Sequence, residues 1–396
     1  MVLQDGHQRE HVWKDVHRIT VLAGPILVQY VVSQASQMVE MGFVGHLPDP
    51  LLLSAMTLGA SLAMATGYHL MYGLASASET LSGQAHGARN PCALAATLHR
   101  SLAVCAAAAV PVTALWWNAG PLLRALGQQP EVAAMAARYL RLTLPALYGH
   151  TVFSCIDKHL LAQGVVAPGV AITATATALS PLYCWFFIVR LGLQLDGAAY
   201  AYNATQLTCT SLSLAYLAWR TWASAGSPDA VPLLAPSTAA AAALSGWGPY
   251  LALAVPDTLM ACMEGWATEV LVFLSGHLPH PEIAVGVTGL CLQLSTLVWI
   301  CAAAVGAATT TRVSNTLGQG DATCAKRLSH TALGLVLVTQ TVLGLLAYGN
   351  RWGLMGLMSS QSEVLALAGE VMPVLALCFV FDGQNVVLSG ILRGAG

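Results

Sequence analysis

The feature that most constrains this chain is a succession of apolar stretches, each long enough to cross a lipid bilayer. A helix of about 20 residues spans the roughly 30 Å of hydrocarbon. Hydrophobic residues make up 56% of the 396 residues and charged residues 9%, whereas a soluble domain carries about 25% charge. Ten spans are predicted, at residues 18–44, 51–75, 101–122, 137–163, 168–190, 197–221, 246–275, 283–308, 330–349 and 364–390. The sequence therefore predicts an all-α, polytopic (multi-pass) membrane protein.

Composition excludes several other classes of protein. The formal net charge is −2, and no basic run is interleaved with aromatic residues, which argues against nucleic-acid binding. The 10 cysteines are scattered, without a CxxC pair or a His/Cys cluster at metal-ligand spacing. No nucleophile and base are visible as a pair. We therefore expect neither an enzyme nor a protein with a bound metal or cofactor.

The distribution of basic residues predicts the orientation in the membrane. Residues 1–17 are polar and charged, as in a cytosolic N-terminal segment, and unlike a cleaved signal peptide. Of the 16 Lys and Arg residues, eleven fall on the side that holds the N-terminus and five on the other. The positive-inside rule then places the N-terminus in the cytosol. The sequence leaves open whether the membrane is vacuolar or the plasma membrane.

An internal repeat predicts the architecture. Residues 45–50 (GHLPDP) recur at 276–281 (GHLPHP), an offset of 231. This distance contains six predicted helices, an even number, so the two copies run in the same sense about an axis along the membrane normal. We predict two pseudo-symmetric lobes of six helices each, with residues 18–222 as the first lobe and 246–396 as the second. The Ala-, Pro- and Ser-rich residues 223–245 are the predicted cytosolic linker.

The same repeat predicts that the second lobe is incomplete. The first copy ends near Arg220, so its counterpart would end near position 451, whereas the sequence ends at Gly396. The difference corresponds to two helices. The expectation is a second lobe truncated to four helices, numbers 7 to 10.

Acidic residues inside the predicted spans point to transport. On an α-helix, Asp257, Glu264 and Thr268 form one stripe, while Glu269 points elsewhere. Asp382 and Asn385 share a face of the tenth span. An ionised carboxylate in hydrocarbon costs several kcal/mol or more, so it must face a wet cavity, pair with a cation or carry a proton. The alternative is that an acid lies near a helix end or forms a structural hydrogen bond.

Polar stripes also follow the first two spans, and fewer acids occur there than in the second lobe. The predicted cavity-lining residues are Gln29, Ser33, Gln37 and Glu40 of the first span, Ser61 and Tyr68 of the second, and Thr268 and Asn385 of the second lobe. The alternative for the Ser and Thr residues is packing and interhelical hydrogen bonding. Asp157 and Lys158 are adjacent and cannot face one another. Both are predicted at the cytosolic end of a helix, with Lys158 reaching the lipid headgroups.

Several motifs resemble those of one transporter family. Residues 73–88 (GLASASETLSGQAHGA) are similar to the cytosolic signature loop of plant-type multidrug and toxic compound extrusion (MATE) transporters, and this loop includes Glu79, Gly83, Gln84 and Gly87. The same resemblance is carried by residues 126–131 (LGQQPE), 263–266 (MEGW) with Glu269, 311–318 (TRVSNTLG) and 382–384 (DGQ). The chain differs from the family pattern at Gly265, where Trp is usual, and at Asp257.

The resemblance implies a function. MATE transporters have twelve helices in two lobes and exchange organic solutes for cations, in eukaryotes mostly protons. Glu264 and Asp382 match the family acids that bind protons and substrate, and we expect Glu269 and Asp257 to join them. The predicted protein is a monomeric antiporter of small organic cations, coupled to H⁺ in preference to Na⁺. The alternatives are a truncated, non-transporting partner protein in the membrane and a lipid-translocating member of the same superfamily.

Overall fold

A computed structural model describes residues 2–223, 245–275, 277–278, 281–358 and 362–396. Every regular element in these ranges is helical, which confirms the all-α prediction. The predicted linker falls almost wholly on residues 224–244, which lie outside the described residues.

Within each of the two parts below, the described helices follow one another closely in the sequence. In the N-terminal part they are α1 (Val2–Gly45), α2 (Pro50–Ala63), a π-helical turn (Met64–Tyr68), α3 (His69–Gly87), α4 (Pro91–Trp117), α5 (Ala119–Ala125), α6 (Pro130–Leu142), α7 (Leu144–Ala162), α8 (Ala167–Cys184), a second π-helical turn (Trp185–Arg190) and α9 (Gln194–Ala223). In the C-terminal part they are α10 (Trp247–Ser275), α11 (Pro281–Gly318), α12 (Ala322–Gly349), α13 (Arg351–Met358) and α14 (Ser362–Ala395).

Side-chain caps define where several helices begin. A carboxylate or amide oxygen of Asp49, Asn90 and Asp321 accepts a hydrogen bond from a backbone amide two or three residues further on, at 2.9, 3.0 and 2.9 Å. Such caps satisfy the free N–H groups at a helix start. Gly320, with a φ of 82°, turns the chain out of α11, because a left-handed conformation suits a residue without Cβ.

Seven helical segments among the described residues are long and apolar enough to cross a membrane. They are Val12–Gly45, Leu51–Gly87, Pro91–Trp117, Ala167–Arg190, Gly286–Gly318, Ala322–Gly349 and Leu365–Ala395. This confirms a multi-pass protein but does not confirm ten spans. The predicted span 137–163 is interrupted at Thr143, between α6 and α7. The predicted spans 197–221 and 246–275 fall almost wholly within α9 and α10, but they are not among these seven segments.

The chain forms two compact units, and their limits fall inside helices. The N-unit is Val28–Cys262, and the C-unit combines Met1–Leu27 with Met263–Gly396. Each limit lies a few residues after a proline within a helix, Pro25 in α1 and Pro256 in α10. The predicted lobes instead meet in the linker, and their boundaries stay a prediction.

Each unit has its own core, and both contain a close helix crossing. In the N-unit, a Cβ on Gly73 would lie 2.3 Å from the Cα of Thr258, so α3 and the first half of α10 touch through backbone. In the C-unit, a Cβ on Gly390 would lie 2.6 Å from the carbonyl oxygen of Gly306. Small residues allow such approaches between membrane helices. The crossings fix the helices that carry the acidic residues.

Candidate functional site: membrane carboxylates in each unit

In the C-unit, two predicted acids, Glu264 and Asp382, lie close enough to interact electrostatically, and with Trp299 they are called the C-unit cluster. Oε1 of Glu264 on α10 accepts a hydrogen bond from Nε1 of Trp299 on α11 at 2.9 Å. Asp382 on α14 is half-buried and interacts electrostatically with Glu264. Two carboxylates that repel one another are stabilised by a shared proton or by a bound cation. The side chain of Glu264 is exposed.

The other predicted residues of the C-unit, Thr268, Glu269 and Asn385, lie near Glu264 or Asp382 in the sequence. The hydroxyl of Thr268 donates to the carbonyl oxygen of Gly265 in its own helix at 2.6 Å, as in the alternative reading of the polar stripes. Glu269 and Asn385 are exposed. None of these observations assigns a ligand role to Thr268, Glu269 or Asn385.

Asp257 belongs to the N-unit, although it shares α10 with Glu264. Its Oδ2 accepts a hydrogen bond from the hydroxyl of Ser76 on α3 at 2.6 Å. Nearby, the buried Tyr250 donates its hydroxyl to the carbonyl oxygen of Leu74 at 2.7 Å. Asp257 thus forms part of the polar seam between α3 and the first half of α10. This is the structural hydrogen bond that the alternative reading requires.

The predicted polar face of α1 divides into buried and exposed residues. Gln29 is buried, and its Nε2 lies 3.2 Å from both carboxylate oxygens of Asp157 on α7. Glu40 is also buried and interacts electrostatically with Tyr68 and Tyr139. Ser33 and Gln37 are exposed, and their place in a cavity stays a prediction.

The second predicted stripe follows the π-helical turn. Ser61 is half-buried. The ring of Tyr68 packs edge-on against His150 and Trp116, with centroid distances of 5.0 and 5.8 Å. The Tyr68 ring is therefore part of an aromatic cluster of the N-unit.

The signature segment is helical, so its prediction as a loop is wrong. Glu79, Gly83, Gln84 and Gly87 all lie in α3, which ends at Gly87. Glu79 is buried, and its Oε2 lies 3.2 Å from Nζ of Lys158 on α7. A buried carboxylate requires such a partner, which explains why this part of α3 packs against α7.

The prediction that Lys158 reaches the headgroups is also wrong. Lys158 is buried against Glu79, and its Nζ lies 4.4 Å from the centroid of the Tyr72 ring. The ring face of a tyrosine attracts a cation. Asp157 and Lys158 do lie in the last turns of α7, which ends at Ala162, but Lys158 belongs to the polar interior of the N-unit.

Acids with interior contacts are not confined to the C-unit among the described residues. The N-unit contains four acids with polar or charged contacts in its interior, namely Glu40, Glu79, Asp157 and Asp257. Successive residues of a helix point about 100° apart. This spacing was the available signal that Asp157 and Lys158 meet different neighbours, α1 and α3.

Comparison with known proteins identifies the family. The sequence profile of the MatE family matches residues 25–186 and 256–396. The chain is 33% identical to Protein DETOXIFICATION 16 of Arabidopsis thaliana over 396 residues, which is 98% of this chain and 78% of that protein. It is 31% identical to Protein DETOXIFICATION 17 of the same plant over 394 residues, 98% of this chain and 79% of that protein.

Solved structures agree with this assignment. The crystal structure of the eukaryotic MATE transporter AtDTX14 superposes with a TM-score of 0.88 at 27% identity, covering 98% of this chain and 84% of that one. A MATE structure in complex with MaD3S gives a TM-score of 0.81 at 18% identity, covering 96% and 82%, and so shares the fold. The chain therefore belongs to the MATE family, whose members are multi-pass membrane transporters, and it is a secondary efflux transporter and not an enzyme.

Proposed function

We propose that this chain exports small organic cations in exchange for protons, and that Glu264 and Asp382 form the shared binding site. The observation that carries the proposal is the cluster in the C-unit. There, Asp382 interacts electrostatically with Glu264, whose Oε1 accepts the indole N–H of Trp299. A cluster of this kind holds either a proton or a cation, because each relieves the same repulsion.

Competition for the two carboxylates gives exchange. An organic cation binds when both carboxylates are ionised, and the ring of Trp299 offers an apolar and cation-attracting face. Protons that arrive from the acidic side neutralise the acids and release the cation. Net transport also requires that each ligand binds the inward-open and outward-open states with different affinity.

The remaining site residues have a supporting role in this proposal. Glu269 lies five residues after Glu264 in α10, where it attracts cations to the site. Asp257, bonded to Ser76, stabilises the seam between α3 and α10. Ser33, Gln37, Ser61 and Asn385 provide hydrogen bonds to varied substrates in this proposal. Gln29, Glu40, Tyr68 and Thr268 support the helices through the contacts described above.

The proposal includes the topology of the protein. Ten helices cross the membrane, so α7 with the end of α6, α9 and α10 join the seven apolar segments. The N-terminus lies in the cytosol, residues 18–222 form the first lobe, and the chain acts as a monomer in the vacuolar or plasma membrane. The excess of basic residues on one side supports this orientation.

The test is pH-driven uptake in proteoliposomes. Purified protein is reconstituted with an acidic lumen, and uptake of radiolabelled tetraethylammonium is measured. Glu264→Gln is expected to abolish uptake, because an amide keeps the size of the side chain but binds no proton at this pH. Glu131→Gln is the matched control, since Glu131 is an exposed acid at the start of α6. Unchanged uptake by Glu264→Gln would contradict the proposal.

A second arm distinguishes the coupling ion. The same vesicles are loaded with a higher Na⁺ concentration in the lumen than outside, at equal pH on both sides. Proton coupling predicts no uptake under these conditions. Uptake driven by Na⁺ alone would replace H⁺ by Na⁺ in the proposed exchange.

A further inference from the structure

We infer that the N-unit holds a second proton-binding site, the carboxyl group of Asp157, which is separate from Glu264 and Asp382. This inference rests on the proposed proton coupling, which it deepens. It arises from the contacts of Asp157 with Gln29 and from the charges of the groups around it.

The carboxyl group of Asp157 is held in a narrow place. A single nitrogen, Nε2 of Gln29 on α1, lies 3.2 Å from both Oδ1 and Oδ2. On the side of α8, a Cβ on Gly169 would lie 2.3 Å from Oδ1. The backbone of α8 therefore closes against the carboxyl group, and no side chain fits at Gly169 without displacing it. The carboxyl group therefore has a defined position, but its hydrogen-bond donor is a single neutral amide nitrogen.

The charges around Asp157 do not cancel. The neighbouring ionisable groups are Lys158 on its own helix, Glu79 on α3 and the thiol of Cys209 on α9. Lys158 is engaged by Glu79, with Nζ at 3.2 Å from Oε2. Gln29 and a thiol carry no charge. If Asp157 and Glu79 are both ionised, these two acids and Lys158 together carry one negative charge in excess.

An excess charge in the interior of a membrane protein is unfavourable unless a proton or a cation neutralises it. Glu79 is the more buried acid and already has a cationic partner. Asp157 is half-buried and has only a neutral amide, so it takes the proton. A protonated carboxyl group still accepts a hydrogen bond from Gln29 through its carbonyl oxygen, so the site fits both states.

The space at this site also limits what binds there. Gln29 on one side and the backbone of α8 at Gly169 on the other leave no room for an organic cation beside Oδ1. Glu264, by contrast, is exposed. Asp157 therefore binds protons without competing for the transported solute, and it sets how many protons are exchanged.

The test uses Asp157→Asn, which preserves the size of the side chain and its acceptor for Gln29 but binds no proton. In reconstituted vesicles, this variant is expected to take up tetraethylammonium. The number of protons exchanged per substrate is expected to fall by about one, and the dependence of uptake on pH becomes less steep. Glu264→Gln, in contrast, loses uptake altogether, so failure of the second site and failure of the first are distinguishable.

A spectroscopic measurement keeps the test independent of transport. In the Glu264→Gln background, infrared difference spectra between acidic and alkaline pH are expected to contain a protonated carboxyl band that Asp157→Asn removes. Ser154→Ala is the matched control on the same helix, since it removes a hydroxyl near His150 and no carboxyl group. Elution volume in size-exclusion chromatography reports whether each variant folds.

Three results would overturn the inference. Asp157→Asn with an unchanged proton-to-substrate ratio would reduce Asp157 to a hydrogen-bond acceptor for Gln29. An infrared band that persists in Asp157→Asn would assign the proton to another acid. Uptake by the unmodified protein could require Na⁺, and Asp157→Asn could remove this requirement. That pair of results would make the site a cation site instead of a proton site.

Discussion

Glu264 in the C-unit and Asp157 in the N-unit are both membrane carboxylates, yet their surroundings differ. Glu264 is exposed and receives one indole N–H. Asp157 lies against the backbone of α8, next to the buried pair of Glu79 and Lys158. An open carboxylate can meet a bulky cation, whereas an enclosed one can meet only a proton or a small ion. The comparison teaches that the packing around an acid assigns its role.

The largest effect is expected from breaking the buried pair of the N-unit with Lys158→Met. This change leaves Glu79 without its cation, and loss of one partner of a buried pair costs roughly 3–5 kcal/mol. We expect a marked fall in the thermal unfolding temperature, measured in detergent solution.

The control for that change is the double variant Lys158→Met, Glu79→Gln. It removes both charges, so most of the lost stability is expected to return. A single variant as stable as the unmodified protein would mean that the pair does not stabilise the N-unit. The difference in environment between the enclosed acids of the N-unit and the open acid Glu264 would then have no consequence for stability.

An intermediate effect is expected from Trp299→Phe in the C-unit. The change keeps an aromatic ring beside Glu264 but removes the N–H donor, and such a hydrogen bond contributes about 0.5–1.5 kcal/mol. We therefore expect a roughly 2- to 10-fold weaker apparent affinity for tetraethylammonium, with the unfolding temperature unchanged because water can solvate the exposed carboxylate. The measurement is uptake at a series of substrate concentrations.

The matched control for this prediction is Trp13→Phe, which alters an exposed tryptophan in the N-terminal part of α1. It is expected to leave the apparent affinity unchanged. A loss of stability in Trp299→Phe comparable to that of Lys158→Met would show that the two acids are not in different environments.

The smallest effect is expected from Glu269→Gln. Five residues after Glu264, this acid points to another face of α10, and it is exposed. Uptake of tetraethylammonium is expected to change by less than about two-fold, because Glu269 adds only a long-range attraction from another face of α10, worth a few tenths of a kcal/mol. A loss as large as that of Glu264→Gln would place Glu269 in the coupling site itself.

Much of the candidate site could be predicted from the sequence, because the relevant properties are local. Intramembrane acids are rare and costly, so Glu264 and Asp382 stand out before any fold is known. The structure adds Trp299, the one aromatic residue of α11, which no pattern in the sequence connects to Glu264. Its hydrogen bond depends on how α10 and α11 pack.

The sequence by itself determined the class of protein, its helices and its family motifs. Hydropathy is a sum along the chain, and helical periodicity gives the face on which a residue lies. Neither property says which neighbouring helix meets that face. Only the tertiary structure decided that Lys158 pairs with Glu79, that Asp157 meets Gln29, and that Asp257 bonds to Ser76. These partners lie 79 to 181 residues apart in the chain, so packing alone brings them together.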